Sequence, residues 1–184
     1  MGMSPEDKVR LPVVAAGAEH LVMGCLMRRN ILAYKAPQNH EGYDLIAIHP
    51  DPRHRPRENE RAQVRIQVKS RFQTDCNRVV PLKAVSLEAF DFLAVVFMNI
   101  GKYYGRHDGS AGEKQAELYM LPTDFVRGHH RADRKVQTLP LTHVYEEIQR
   151  YRDERGVELV AEALGVARPV RGARAAARRV QLGR

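Results

Sequence analysis

The run "FLAVVFMNI", residues 92–100, constrains the fold more than any other stretch, because a continuous apolar and β-branched segment of this length reads as a strand buried on both faces of a sheet. A second strand, "QVRIQVKS", alternates strictly and puts Val64, Ile66 and Val68 on one face and Arg65, Gln67 and Lys69 on the other. Ahead of both, Ala18, Leu21, Val22, Cys25 and Leu26 recur at three- and four-residue steps, which predicts a helix from about Val14 to Asn30 with one buried stripe. "ILAYKA" and "YDLIAIH" read as two further strands around the turn-prone "PQNHEG", and "AELYMLP" as a last one. Helices and strands are thus mixed along the chain, and the expected class is α/β.

Of the connecting segments, "PDPRHRPRENERA" reads as a long polar connection that does not pack. "SLEAFDF" offers Ser86 as a helix cap, and "GKYYGRHDGSAGEKQ" has the composition of a flexible loop. "HVYEEIQRYRDERGVELVAEALG" looks helical, with Gly156 as a candidate interruption and Gly165 as its end. At 184 residues the chain supports one core, so a single domain over 1–167 is expected, followed by a basic Arg/Ala-rich tail over 168–184.

That tail carries Arg168, Arg171, Arg174, Arg178, Arg179 and Arg184 with no acid, and accounts for most of the formal charge of +8. A polyanionic partner is expected, nucleic acid ahead of membrane lipid. Cys25 and Cys76 form neither a disulfide framework nor a zinc-ribbon spacing, and no apolar run has signal-peptide or membrane-spanning character. A soluble protein of the reducing cytoplasm is the expectation.

The chemistry centres on "GYDLIAI" and "IQVKS". Asp44 opens an apolar strand, and Gln67 and Lys69 are two apart on another, so their side chains emerge on one face. A carboxylate and an amide oxygen are hard ligands suited to magnesium or manganese. A neighbouring ammonium group would orient water or balance charge, and phosphodiester hydrolysis asks for those parts. The plainer readings are that Asp44 starts a strand after a glycine turn, and that Gln67 and Lys69 lie on a solvated face. His129 and His130 lack the spacing of a helical ligand pair and read as surface residues. Tyr103 and Tyr104 could stack on bases or pack on a strand end.

Taken in order, "GAEHLVMGCLMRRNILAYKAP", "GYDLIAI" and "IQVKS" resemble the PD-(D/E)XK nuclease superfamily, in particular its small homing-endonuclease and resolvase-like proteins with a Q-x-K motif. The resemblance covers about residues 15 to 71. It implies a restriction-endonuclease-like core, a central mixed β-sheet flanked by helices in the order α-β-β-β-α-β. It also implies a magnesium- or manganese-dependent hydrolase acting on DNA, with two copies pairing where both strands are cut. Asp44 then matches the acidic metal ligand and Lys69 the catalytic lysine. Gln67 stands where Glu is usual, the Val68 carbonyl is a further ligand, and Glu19 matches the acid on the first helix. The neutral Gln67 leaves a second expectation open, a non-catalytic nucleic-acid-binding module on a degenerate scaffold. Arg71 and the tail arginines are the expected contacts to the phosphate backbone. Deleting residues 168–184 should flatten the salt dependence of nucleic-acid binding, by about 0.9 in the log-log slope for each duplex phosphate that the tail neutralises. Binding measured between about 50 and 200 mM salt, where counterion release is well resolved, checks this.

Overall fold

A computed structural model describes residues 11–37, 42–72, 78–100, 114–132 and 136–167. In chain order they form α1 (Leu11–Arg28), β1 (Leu32–Lys35), β2 (Leu45–Ile48), β3 (Gln63–Arg71) and β4 (Val79–Pro81). A 3-10 turn at Ala84–Glu88 precedes β5 (Phe92–Phe97), β6 (Glu117–Pro122), α2 (Thr123–His129), β7 (Thr138–Pro140), α3 (Tyr145–Ile148) and α4 (Glu154–Ala163). The central sheet has five strands in the order β1-β2-β3-β5-β6, and β4 pairs with β7 in a small second sheet. Only β3 and β5 run parallel; the other neighbours in the central sheet are antiparallel. The fold is therefore mixed α/β, a five-stranded mixed sheet with helices on both faces.

Alternation on β3 decides which layer lies where. Val64, Ile66 and Val68 pack with Ala18, Val22 and Leu26 of α1 and with Val157, Val160 and Ala161 of α4. On the other face Leu93, Val95 and Phe97 of β5 and Tyr119 and Leu121 of β6 meet Phe125 and Val126 of α2, Ile148 of α3 and Leu139 of β7. With both faces covered, all six residues of β5 are buried, as its unbroken apolar run requires.

Several expectations change at the level of elements. The helix expected at Ser86 is a 3-10 turn flanked by Lys83, and Ser86 sits inside it, its amide bonded to the Lys83 carbonyl rather than its hydroxyl capping a helix. The described part of the β3 to β5 crossover holds only that turn and β4, so the second helix of the expected order follows β6 instead. Leu21, placed on the buried stripe of α1, is 37% exposed, because the stripe that meets the sheet is Ala18, Val22 and Leu26.

The polar 50–62 connection is largely exposed, as its composition implies, but hydrogen bonds tie it to the fold at several points. The Arg61 amide donates to Ala163 O at 2.7 Å, the Glu60 carboxylate takes the Arg57 amide at 2.9 Å, and the stacked His49 and His54 rings lie 3.8 Å apart. At its far end, the Asp91 carboxylate receives the Arg61 guanidinium at 2.7 Å and the Arg65 amide at 2.8 Å. Charge-assisted bonds to a nearly buried carboxylate therefore fix where β3 and β5 begin.

The C-terminal helical segment breaks at Arg152 and Asp153 rather than at Gly156. Asp153 adopts φ 49°, and its amide donates to Leu118 O at 2.7 Å, which ties the break to β6. Gly156 is needed for a different reason: a Cβ there would lie 2.2 Å from Tyr151 O and 2.8 Å from Met120 Cβ. Gly165, at φ 70°, ends the segment as its position implied. The tail, Cys76, Tyr103 and Tyr104 lie outside the described residues.

Gly156→Ala should destabilise the fold by about 1–3 kcal/mol through overpacking against backbone. Gly24→Ala, at a helical glycine with nothing within 4 Å of the added carbon, should stabilise it by about 0.5–1 kcal/mol. Urea denaturation of the two variants checks both signs.

Candidate functional site

The site begins where two strands part. The last β2 pair is Leu45 opposite Ile66, and β3 continues alone on that side through Arg71. Asp44 stands at the fork. Its amide donates to Ile66 O at 2.9 Å, its carbonyl accepts from the Ala36 amide at 2.8 Å, and its Oδ2 accepts the Val68 amide at 2.6 Å. The side chain thus takes the place of a missing strand and seats its carboxylate on the β3 backbone between Gln67 and Lys69. Among the described residues, Oδ1 accepts no hydrogen bond.

Backbone direction adds one more oxygen. On an extended strand the amide and carbonyl of one residue project to the same side, alternating along the chain. The Arg65 and Arg71 carbonyls serve the Asp91 and Met98 amides on the β5 side, and Ile66 and Val68 turn toward Asp44. The Val68 carbonyl therefore faces the fork. Gln67 lies on a face that alternation alone would leave to solvent, but the second helical layer covers it. It is 8% exposed, and among the described residues its buried Oε1 has no hydrogen-bond partner. Leaving a buried amide oxygen unpaired costs on the order of 1–3 kcal/mol, so this atom calls for a donor or a cation.

Charge completes the arrangement. Burial pushes the Asp44 carboxyl above its ordinary range; the Val68 amide and the positive charges of Lys69 and Lys35 pull it back, while Glu19 pushes it further up. Two ammonium groups and a second carboxylate thus act on the Asp44 charge. Glu19, on α1, is held by Lys35 Nζ at 2.8 Å. Lys69 has no carboxylate within ion-pair distance among the described residues. Sequence pattern does not single out Lys35, although it ends the apolar run "ILAYK" just as Lys69 ends "IQVK".

Of the expected site residues, Lys69 and Glu19 both act on the Asp44 charge, and Gln67 lies on the strand to which Asp44 is bonded. Arg71 ends β3 on the same strand and already has an interaction partner. Arg168, Arg171, Arg174, Arg178 and Arg179 are outside the described residues. His129 and His130 are bonded to the Phe125 and Leu82 carbonyls and take no part. No group of three or more His, Cys, Asp and Glu able to hold a metal occurs among the described residues. Any cation site here needs the Gln67 amide and a backbone carbonyl beside its acids. With those included, the oxygen donors and the orphaned Oε1 suit a hard divalent ion.

A separate cleft of about 970 Å3 runs between α1, α4 and the start of β6, past Cys25, Arg152 and Asp153. Its Arg28, Arg29 and Arg152 are paired with Glu154, Glu158 and Glu117, so it offers less free charge than its arginine content suggests.

No family model matches the chain, and no curated protein matches it. Among solved structures the chain is similar to a bacterial homing endonuclease, I-Ssp6803I, at 15% identity and a TM-score of 0.47, over 85% of this chain and 95% of that one. A likeness of that size assigns no residue a role. No described helix is long and apolar enough to cross a membrane.

Because burial raises the Asp44 carboxyl in the folded state, the folded protein binds that proton more tightly than the unfolded chain. The stabilisation is complete below the unfolded value of about 4 and is lost as pH rises through the folded value. Asp44→Asn, which keeps an oxygen for the Val68 amide, should therefore melt higher than wild type at neutral pH, the two converging in acid. Thermal melts across that pH range, without divalent ions, check it.

Proposed function

We propose that the protein is a divalent-metal-dependent nuclease that hydrolyses phosphodiester bonds in DNA. The observation that carries this reading is the buried, unpartnered Gln67 Oε1 on the strand to which the Asp44 carboxylate is bonded, with Lys69 two residues on. Asp44, Gln67 and the Val68 carbonyl would hold the ion, with Glu19 as a further carboxylate. When bound, a magnesium or manganese ion supplies neutralisation of phosphate charge and a water of lowered pKa.

The protein's own groups then do the rest. Asp44, fixed by the Val68 amide, keeps its carboxylate in place without reorganisation. Lys69 donates to the attacking water or to a nonbridging phosphate oxygen and offsets the charge that develops as the new P–O bond forms and the ester P–O bond breaks. Arg71 and the arginines of 168–184 would track the backbone. A second reading, metal-independent nucleic-acid binding, is favoured by the neutral Gln67 and by the lack of an acidic cluster among the described residues.

Purified protein with magnesium or manganese is expected to cut duplex or branched DNA. Asp44→Ala and Lys69→Ala should each lose on the order of 10²-fold or more in rate. Intact DNA with the wild type, or full cleavage by either variant, excludes the nuclease reading. Retained salt-sensitive binding without cleavage selects the second reading.

A further inference from the structure

The nuclease reading gives Lys35 no role. It ends β1 opposite Leu45, one residue from the fork, and its Nζ lies 2.8 Å from Glu19 Oε2. The neighbouring Ala36 amide is bonded to the Asp44 carbonyl, so the backbone that carries Lys35 is fixed to the residue proposed as chief metal ligand. The side chain itself is 45% exposed and free to swing toward solvent.

The charges around the fork define what Lys35 does. Asp44 and Glu19 are already balanced by Lys35 and Lys69, and an ion of charge +2 would leave the site strongly positive. Like charges at these separations repel. A divalent ion that takes Glu19 as a ligand therefore competes with the ammonium now bonded to its Oε2.

We infer that Lys35 is a placeholder cation, neutralising Glu19 in the ion-free protein and competing with the divalent ion for that carboxylate. It is a positioning residue for Glu19. Resting on the nuclease reading, the inference adds a regulation of the same site. Without nucleic acid, the ion binds weakly because Lys35 holds Glu19. A phosphate backbone supplies the displaced ammonium with a new partner, so ion and substrate bind together.

Manganese titration of the full chain, followed by the ion's EPR signal with no nucleic acid present, tests this. Lys35→Gln should bind manganese about two- to fivefold more tightly than wild type, the scale set by a partly exposed ion pair. Lys35→Arg, which keeps the cation, should stay at the wild-type affinity or below. In Glu19→Gln, which has no carboxylate to contest, the further change Lys35→Gln should tighten binding much less. Equal or weaker binding by Lys35→Gln, while Asp44→Ala still abolishes it, overturns the role of Lys35 and leaves the metal site standing. No manganese bound by wild type and Lys35→Gln alike overturns the role of Lys35, and the DNA-cleavage assay decides the nuclease reading separately. Measurable binding by Lys35→Gln alone supports the competition in its strongest form.

Discussion

The hydrogen bond from the Val68 amide to the Asp44 carboxylate is the interaction on which the fork depends. β2 begins only at Leu45, opposite Ile66, while β3 runs on to Arg71, so a β3 amide faces a gap that another strand would ordinarily fill. An unpaired backbone donor inside a protein is costly, and a side chain with a short reach and strong acceptors is the compact remedy. Aspartate meets that need and leaves a second oxygen over. The same bond that finishes the sheet therefore presents a carboxylate at its edge, and the structural and chemical roles of Asp44 are one arrangement.

Packing explains why the neighbouring polar groups are not simply solvated. Leu93 and Val95 place an apolar layer on the face that Gln67 shares, and α2, α3 and the small β4-β7 sheet close over it. Gln67 is thereby drawn out of water, while Lys69, further toward the open end of β3, keeps partial exposure. The gradient from buried amide to half-exposed ammonium follows from how far the second layer extends along β3. Asp91 secures the opposite end, since the Arg61 and Arg65 guanidinium groups on its carboxylate fix where β3 and β5 begin. A shift at Asp91 would pass along β3 toward the fork.

Much of this is legible in the sequence where a local pattern determines it. The unbroken apolar run of β5 implies a doubly covered strand, Gly165 closes a helix, and the spacing of Gln67 and Lys69 fixes their common face. What is not legible depends on neighbours distant in the chain. Ser86 looks like a cap, but the connection from β4 to β5 is satisfied by a 3-10 turn. The charged 50–62 segment stays mostly exposed as its composition implies, yet Arg61 meets Ala163 at the end of α4 and Glu60 lies against Gly165, ties that no local pattern can encode. Gly156 looks like a helix breaker, and its importance is the close approach of Tyr151 and Met120. Lys35 escapes a reading of the sequence because a lysine ending a strand has no distinguishing pattern until its partner on α1 is known.

The neutrality of Gln67 follows from the same charges. A glutamate in that buried position would add an acid on the strand to which Asp44 is bonded. Burial already holds the Asp44 carboxyl above its ordinary range, and another negative charge nearby would raise it further. The added carboxylate would strengthen attraction for a cation while favouring protonation of the acids that must receive it. An amide supplies the oxygen without that conflict, at the cost of a bare buried acceptor. The proposed site would thus be nearly neutral in the absence of a cation, and satisfying Gln67 Oε1 would favour whatever donor or ion met it.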